Sequence, residues 1–205
     1  PQLSDENVEA LAKELLGADN PLIITSYLGR QPEAVDQLVT LSQRLAIPVV
    51  EPFRLYMNFP ADSPLHWGYQ AEPFVEDADL ILILDSDVPW MMSQKKPSKE
   101  CKVYYFDVDP LKEQLPLWYF PSTKFYRVDS YHFLRQLNQV LEGRPMDEQK
   151  RQKRFQRAVK VHTEQRQAWQ REITLDNGEI TPPFLTACLK DVLDEETIVI
   201  DETIT

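Results

Sequence analysis

Four carboxylates stand at the ends of two apolar runs, where side chains of this type could meet a ligand. Asp85 and Asp87 follow Leu80–Leu84, and Asp107 and Asp109 follow Val103–Phe106. Neither run alternates apolar with polar residues. Each therefore predicts a strand buried on both faces, as in a parallel sheet sandwiched by helices. Ligands of such sheets sit beyond the carboxyl ends of the strands. An Asp there can also simply cap the turn or helix that follows, and this is the expected role at Asp109-Pro110 and Asp129-Ser130. After a third apolar run, Leu22–Thr25, the chain reads Ser26-Tyr27-Leu28-Gly29-Arg30. A dinucleotide-binding domain would carry GxGxxG at this point. Only Gly29 is present, so that fingerprint is absent. Ser26 and Arg30 are the polar candidates of this turn, and Arg30 suits either a phosphate or an ion pair at a helix start.

Other chemistry is weakly supported. His66, His132 and His162 are scattered, without metal-ligand spacing. No Ser/His/Asp or Cys/His arrangement follows from the spacing. Trp67, Trp90, Trp118 and Tyr119 are able to stack on a ligand, but such residues more often fill a core or an interface.

The strands need neighbours and cover. Val8, Leu11, Ala12, Leu15 and Leu16 recur at helical spacing after Ser4, and Gly17 ends that helix. A second helix is expected from Pro32 to Leu45, followed by a strand at Ile47–Val50. This strand–helix–strand unit predicts parallel pairing. Glu51–Glu72 is a long connection with several prolines, in which His66–Tyr69 is a short strand or an ordered loop. A strand at Phe125–Val128 and a helix from Asp129-Ser130 to Leu141 complete the pattern. The fold class is α/β: a three-layer, doubly wound, mostly parallel sheet of about six strands, Rossmann-like. From Gly143 the character changes. Asp147–Arg171 reads as a polar linker helix with one narrow apolar face. A helix from Thr181-Pro182-Pro183 to Leu193 and a strand at Thr197–Ile200 follow. The expected divisions are 1–142, a linker over 143–180, and the start of another domain over 181–205.

Composition sets the limits. The chain has 205 residues, 42% of them apolar, which suffices for a core, and a net charge of −11. That charge argues against nucleic acid and anionic membranes, which need a basic surface. Cys101 and Cys188 lie far apart and are expected as reduced thiols of a cytoplasmic-type compartment. Only 5 glycines occur, few for a backbone that must approach phosphates closely. With no initiator Met, and a last phrase that reads as a strand tip, the sequence is expected to be a fragment of a longer polypeptide.

The phrases "NPLIITSYLGR", "LAIPVVEP", "FPADSPLHWGY", "EDADLILILDSD", "KVYYFDVDP" and "FYRVDS" resemble, in order and spacing, the central domain of thiamine-diphosphate-dependent enzymes of the acetolactate synthase and benzoylformate decarboxylase group. "DSDVPW" and "DPLKEQLPLW" look most similar to the acetolactate-synthase-like members. The resemblance implies a middle domain of an enzyme that makes or breaks carbon–carbon bonds on 2-keto acids, a transferase or lyase. Thiamine diphosphate and Mg2+ would be held on amino- and carboxy-terminal domains of the same polypeptide, and the assembly would be a dimer or tetramer. The chain has no GDG motif and no assignable thiamine-activating Glu, so alone it is expected to be silent. In the family this domain binds FAD, an adenine nucleotide or nothing. The corresponding positions here are Ser26, Arg30, Asp85, Asp87, Asp107 and Asp109, the last two matching an acidic phrase that accepts ribose or adenine hydrogen bonds. Thr203 and Thr205 fall where the family begins to contact diphosphate. The missing glycines and the bulk at Asp87–Trp90 favour a vacant or structural pocket over FAD. The rival readings are a free-standing FAD- or NAD-binding module and a non-catalytic interaction subunit.

Overall fold

The uninterrupted apolar run Leu80–Leu84 is the middle strand of a five-stranded parallel sheet of order β2-β1-β3-β4-β5. The strands are β1 Pro21–Thr25, β2 Val49–Val50, β3 Leu80–Leu84, β4 Lys102–Asp107 and β5 Lys124–Arg127. The structure is a computed structural model and describes residues 2–115, 120–173 and 180–200. Leu82 pairs with Ile23 on one side and with Tyr104 on the other, all three strands parallel. Every residue of β1 and β3 is buried, as runs without alternation require. The sheet is extended past β2 by residues 65–68. Val49 N donates to Leu65 O, Trp67 N to Val49 O and Glu51 N to Gly68 O, at 2.8–3.0 Å. This is the short extended segment expected near His66.

The helices are α1 Asp5–Gly17, α2 Pro32–Leu45, α3 Glu72–Val75, α4 Ser130–Leu141, α5 Glu148–Glu172 and α6 Pro182–Lys190. α1, α2 and α4 pack together through Val8, Leu11, Leu15, Leu38, Leu41, Phe133 and Leu137, all buried. β4 shows why its apolar run does not alternate. Phe106 stacks on Phe133 of α4, with ring centroids 4.0 Å apart, while Tyr105 meets Phe120 and Phe125. Asp129 caps α4 by accepting from His132 N at 3.0 Å.

The chain divides into residues Pro1–Thr163 and Glu164–Thr205. The first part of α5 belongs to the first unit, and its cations satisfy helix ends there. Arg154, itself buried, donates to Leu45 O at 3.0 Å, to Leu15 O at 2.9 Å and to Ala18 O. Arg151 Nε donates to Arg44 O at 2.9 Å, and Lys150 Nζ to Gly17 O at 2.5 Å. The last carbonyls of a helix have no intrahelical donors and carry negative partial charge, so cations suit them. Arg154→Met strips three donors from buried carbonyls. It is expected to cost about 2 kcal/mol in a urea melt, the desolvation penalty of unpaired polar groups.

The second unit holds α6, capped by Thr181 Oγ1, which accepts from Phe184 N at 3.3 Å. α6 stops at Lys190, earlier than the expected Leu193, in a turn that brings Val192 N to Leu189 O. Thr197–Ile200, expected as a strand, has no strand partner among the described residues, and Ile198 is 87% exposed. A lone segment without a neighbouring edge has no ladder to join. Trp118, Tyr119, Thr203 and Thr205 lie outside the described residues.

Candidate functional site

The strand order reverses between β1 and β3, and a crevice at the carboxyl ends of those strands is the default ligand position of such a sheet. The structure brings Ser26, Arg30, Asp85, Asp87 and Asp107 to this place. It also fills the place with the chain's own groups.

The turn after β1 is closed first. Asp85 adopts φ +48°, a left-handed conformation that Asp tolerates better than most residues. Its carbonyl thereby accepts from both Ser26 N, at 3.1 Å, and Tyr27 N, at 3.0 Å. These are the backbone donors that a phosphate would otherwise take. Ser26 Oγ donates to Pro52 O at 2.6 Å. Its contact with Ser86 Oγ at 2.7 Å is therefore donated by Ser86. Gly29 N donates to Asn58 Oδ1 at 2.8 Å.

The centre of the crevice holds a buried ammonium. Lys112 Nζ donates to Tyr27 Oη at 2.6 Å and to Asp107 Oδ2 at 2.8 Å, and lies 2.9 Å from Asp87 Oδ1. These three partners use all three of its N–H donors. Tyr27 Oη in turn donates to Asp107 Oδ2 at 2.5 Å. Burial pulls the Lys112 pKa down, but the hydrogen bonds to Asp107 and Asp87 outweigh this and hold it above the ordinary lysine value. Burial, and then the hydrogen bond to Asp107, hold the Tyr27 hydroxyl far above the phenol range. At neutral pH the group is a charged Lys and a neutral Tyr with every strong donor spent.

The remaining acids are also engaged. Asp85 Oδ1 pairs with Arg30 Nη2 at 3.0 Å, and the Asp85 side chain is 2% exposed. Burial pushes its pKa up to about 6, against the pull of Arg30. Asp107 Oδ1 accepts from Asp109 N at 2.9 Å, so Asp107 holds the turn expected of Asp109. The Asp109 carboxylate instead faces exposed Arg127 at 3.7 Å.

The Asp85 shift has a pH consequence. A raised native pKa means that the folded state keeps a proton which the unfolded chain has lost between about pH 4 and pH 6. The stability carried by this group is full at low pH and falls as pH rises through that window, by about 3 kcal/mol at about 1.4 kcal/mol per pKa unit. Asn keeps the left-handed backbone and cannot titrate. The stability difference between wild type and Asp85→Asn, from urea melts at pH 4 and pH 7, should shift by about 2 kcal/mol in favour of the variant at pH 7, since part of the effect is already lost at pH 4.

Sequence reasoning missed Tyr27 and Lys112 as site residues, and a second buried cluster beside them. Glu51, at the tip of β2, receives His66 Nε2 at 2.9 Å and both Asn58 N and Asn58 Nδ2 at 3.0 Å. All three residues are buried. A cavity of about 320 Å³ lies against Glu51, lined also by Arg54, Tyr56, Met57 and Phe59. Glu51 and His66 stand at opposite ends of the proline-rich connection, so no local spacing joins them. Trp67 and Trp90 are core residues, 3% and 2% exposed.

This arrangement stabilises charge and holds loops together. Cys101 is buried and its thiol is pushed up to about 12, by burial and then by Asp79; Cys188 is exposed, and both are free. Among the described residues no group of three His, Cys, Asp or Glu is placed to hold a metal ion. None of their helices is long and apolar enough to cross a membrane. The residues at the crevice do not fit a dinucleotide. The N–H groups of Ser26 and Tyr27 are taken by Asp85 O and that of Gly29 by Asn58 Oδ1, and the acid that would meet a ribose is bonded to Lys112 and Tyr27.

The family described as thiamine pyrophosphate enzyme, central domain, matches residues 8–115. The fold is similar to that of a candidate thiamin diphosphate-dependent enzyme from Mycobacterium smegmatis, at 18% identity and TM-score 0.56 over 70% of this chain and 30% of that one. It is also similar to benzoylformate decarboxylase from Polynucleobacter necessarius, at 21% identity and TM-score 0.57 over 70% of this chain and 28% of that one. At these identities the likeness is one of fold. The chain spans under a third of the length of either structure.

Proposed function

The chain belongs to the thiamine pyrophosphate enzyme central-domain family, and on that premise we propose that it is the non-catalytic middle domain of a thiamine-diphosphate-dependent enzyme acting on 2-keto acids. Its work is spacing and assembly: it holds apart and orients two domains that carry the cofactor. The parent belongs with the acetolactate-synthase-like members, as "DSDVPW" and "DPLKEQLPLW" suggest, and makes or breaks a bond beside a carbonyl. Thiamine diphosphate supplies carbanion stabilisation when bound, with Mg2+ on its diphosphate.

The observation that carries this reading is the closed crevice. Two strand-tip N–H groups are spent on Asp85 O, and the Lys112 ammonium is spent on Tyr27, Asp107 and Asp87. An internally satisfied crevice supports a structural role ahead of FAD, and weighs against a free-standing FAD or NAD module. The second unit reads as the opening of the following domain. Assembly as a dimer or tetramer in a cytoplasmic compartment is part of the same proposal.

The test is turnover. A polypeptide in which this chain is flanked by thiamine-binding domains consumes a 2-keto acid such as pyruvate when given thiamine diphosphate and Mg2+. The 205-residue chain under the same conditions yields no product. Product from this chain alone contradicts the reading, as does a full polypeptide that fails to bind the cofactor.

A further inference from the structure

The cavity of about 320 Å³ beside the tip of β2 has the size of a small-metabolite site. Its lining includes two charged residues of opposite sign, Glu51 and Arg54, with Leu55, Met57 and Phe59 among its other walls. Glu51 is the buried charge, 3% exposed. Its Oε1 accepts from Asn58 N and Asn58 Nδ2, and its Oε2 from His66 Nε2. A carboxylate offers about four lone-pair sites, so one on Oε2 remains. Among the described residues no Lys or Arg lies in ion-pair reach of Glu51, whose one such partner is His66. A buried carboxylate is costly without a charge partner, and a cationic ligand group supplies one. Arg54 is the complementary group. Its guanidinium lies 4.3 Å over the Tyr69 ring and makes no hydrogen bond or ion pair among the described residues. Its five N–H donors match the fork of a carboxylate.

Both charges are held in place by the surrounding chain. Tyr69, beneath Arg54, meets the His66 ring edge-on with centroids 5.2 Å apart, and His66 is bonded to Glu51. The loop of residues 53–57, which carries Arg54 and the walls Leu55 and Met57, is held from beneath. Leu55 N donates to Ser26 O at 2.9 Å, and Asn58 Nδ2 donates to Ser26 O at 3.1 Å and to Tyr56 O at 2.9 Å. A site ordered in advance loses less binding energy to immobilising its own groups. We propose that this cavity binds a small zwitterion on an apolar body, the chemistry of a free apolar amino acid. Its ammonium meets Glu51, its carboxylate meets Arg54, and its side chain lies against Leu55, Met57 and Phe59. A simple anion would face Glu51 and a simple cation would face Arg54, so each half alone is disfavoured. The proposal does not depend on the reaction of the parent enzyme.

The experiment titrates L-leucine into the 205-residue chain labelled with carbon-13 at the methyls of its 4 methionines, followed by NMR. The Met57 methyl is expected to shift and to saturate below about 10 mM leucine, while that of Met146, outside the cavity lining, stays in place. Two analogues divide the zwitterion. 3-Methylbutylamine lacks the carboxylate and 4-methylpentanoate lacks the ammonium, and each is expected to bind about tenfold or more weakly, the loss of one charged hydrogen-bonding group. Arg54→Gln weakens leucine to the level of the amine. The variant melts at the wild-type temperature, because Arg54 holds no hydrogen bond of the fold, which separates recognition from folding. A Met57 methyl that does not move overturns the proposal. Equal affinity for leucine and both analogues does so too, since it marks an apolar groove without charge recognition. So does unchanged leucine affinity in Arg54→Gln.

Discussion

Lys112→Met destabilises the first unit by about 4 kcal/mol, because removing one partner of a buried ion pair leaves the other charged and unpaired. The Lys112 side chain is 7% exposed and that of Asp107 1%. Met matches the length of the stem but leaves the Asp107 carboxylate with Tyr27 Oη and one backbone N–H as its remaining donors. The double variant Asp107→Asn/Lys112→Met removes both charges together. It should recover at least half of the loss, since replacing a whole buried pair is often neutral. Urea melts of wild type, both single variants and the double variant measure this as a cycle. Additive losses would mean that the ammonium is held by something other than Asp107. If instead the cluster were a catalytic or ligand site, Lys112→Met would raise stability, as strained functional groups do when relieved.

Gly29→Ala is expected to cost about 4 kcal/mol, above the 1–3 kcal/mol common for overpacking. The reason is the identity of the neighbour. An added Cβ would lie 2.1 Å from Met57 O and 2.8 Å from Met57 C, and backbone cannot rotate away as a side-chain tip can. The glycine therefore belongs to a crossing of two loops rather than to a phosphate cradle. A melting curve settles the point. If Gly29→Ala were tolerated with little loss, the 53–57 loop would be free to lift from the turn after β1.

The sheet was legible because its chemistry is redundant. Leu80–Leu84 and Val103–Phe106 are apolar on both faces, and only a covered parallel strand satisfies them. The helices Pro32–Leu45 and Ser130–Leu141 were legible in their periodicity and caps. The crevice was legible as a place, since acids at strand tips point to it. Its contents were not. Lys112 reaches Asp107 across a turn in which Lys112 itself has φ +50°, and it meets Tyr27, which lies 85 residues away. No spacing rule encodes either link. Glu51 and His66 were hidden in the same way, buried ends of one long connection. Thr197–Ile200 reads as a strand by composition, yet a strand exists only against a neighbour, and no described residue offers one.

The claim on which the account turns is that this crevice is shut by Tyr27, Lys112 and Asp107. Titrating FAD into the isolated chain and following flavin fluorescence tests it most directly. The account predicts no saturable change up to millimolar flavin, and the same flat line for ADP. Stoichiometric binding of either at micromolar concentration, abolished by Asp107→Asn, would contradict it.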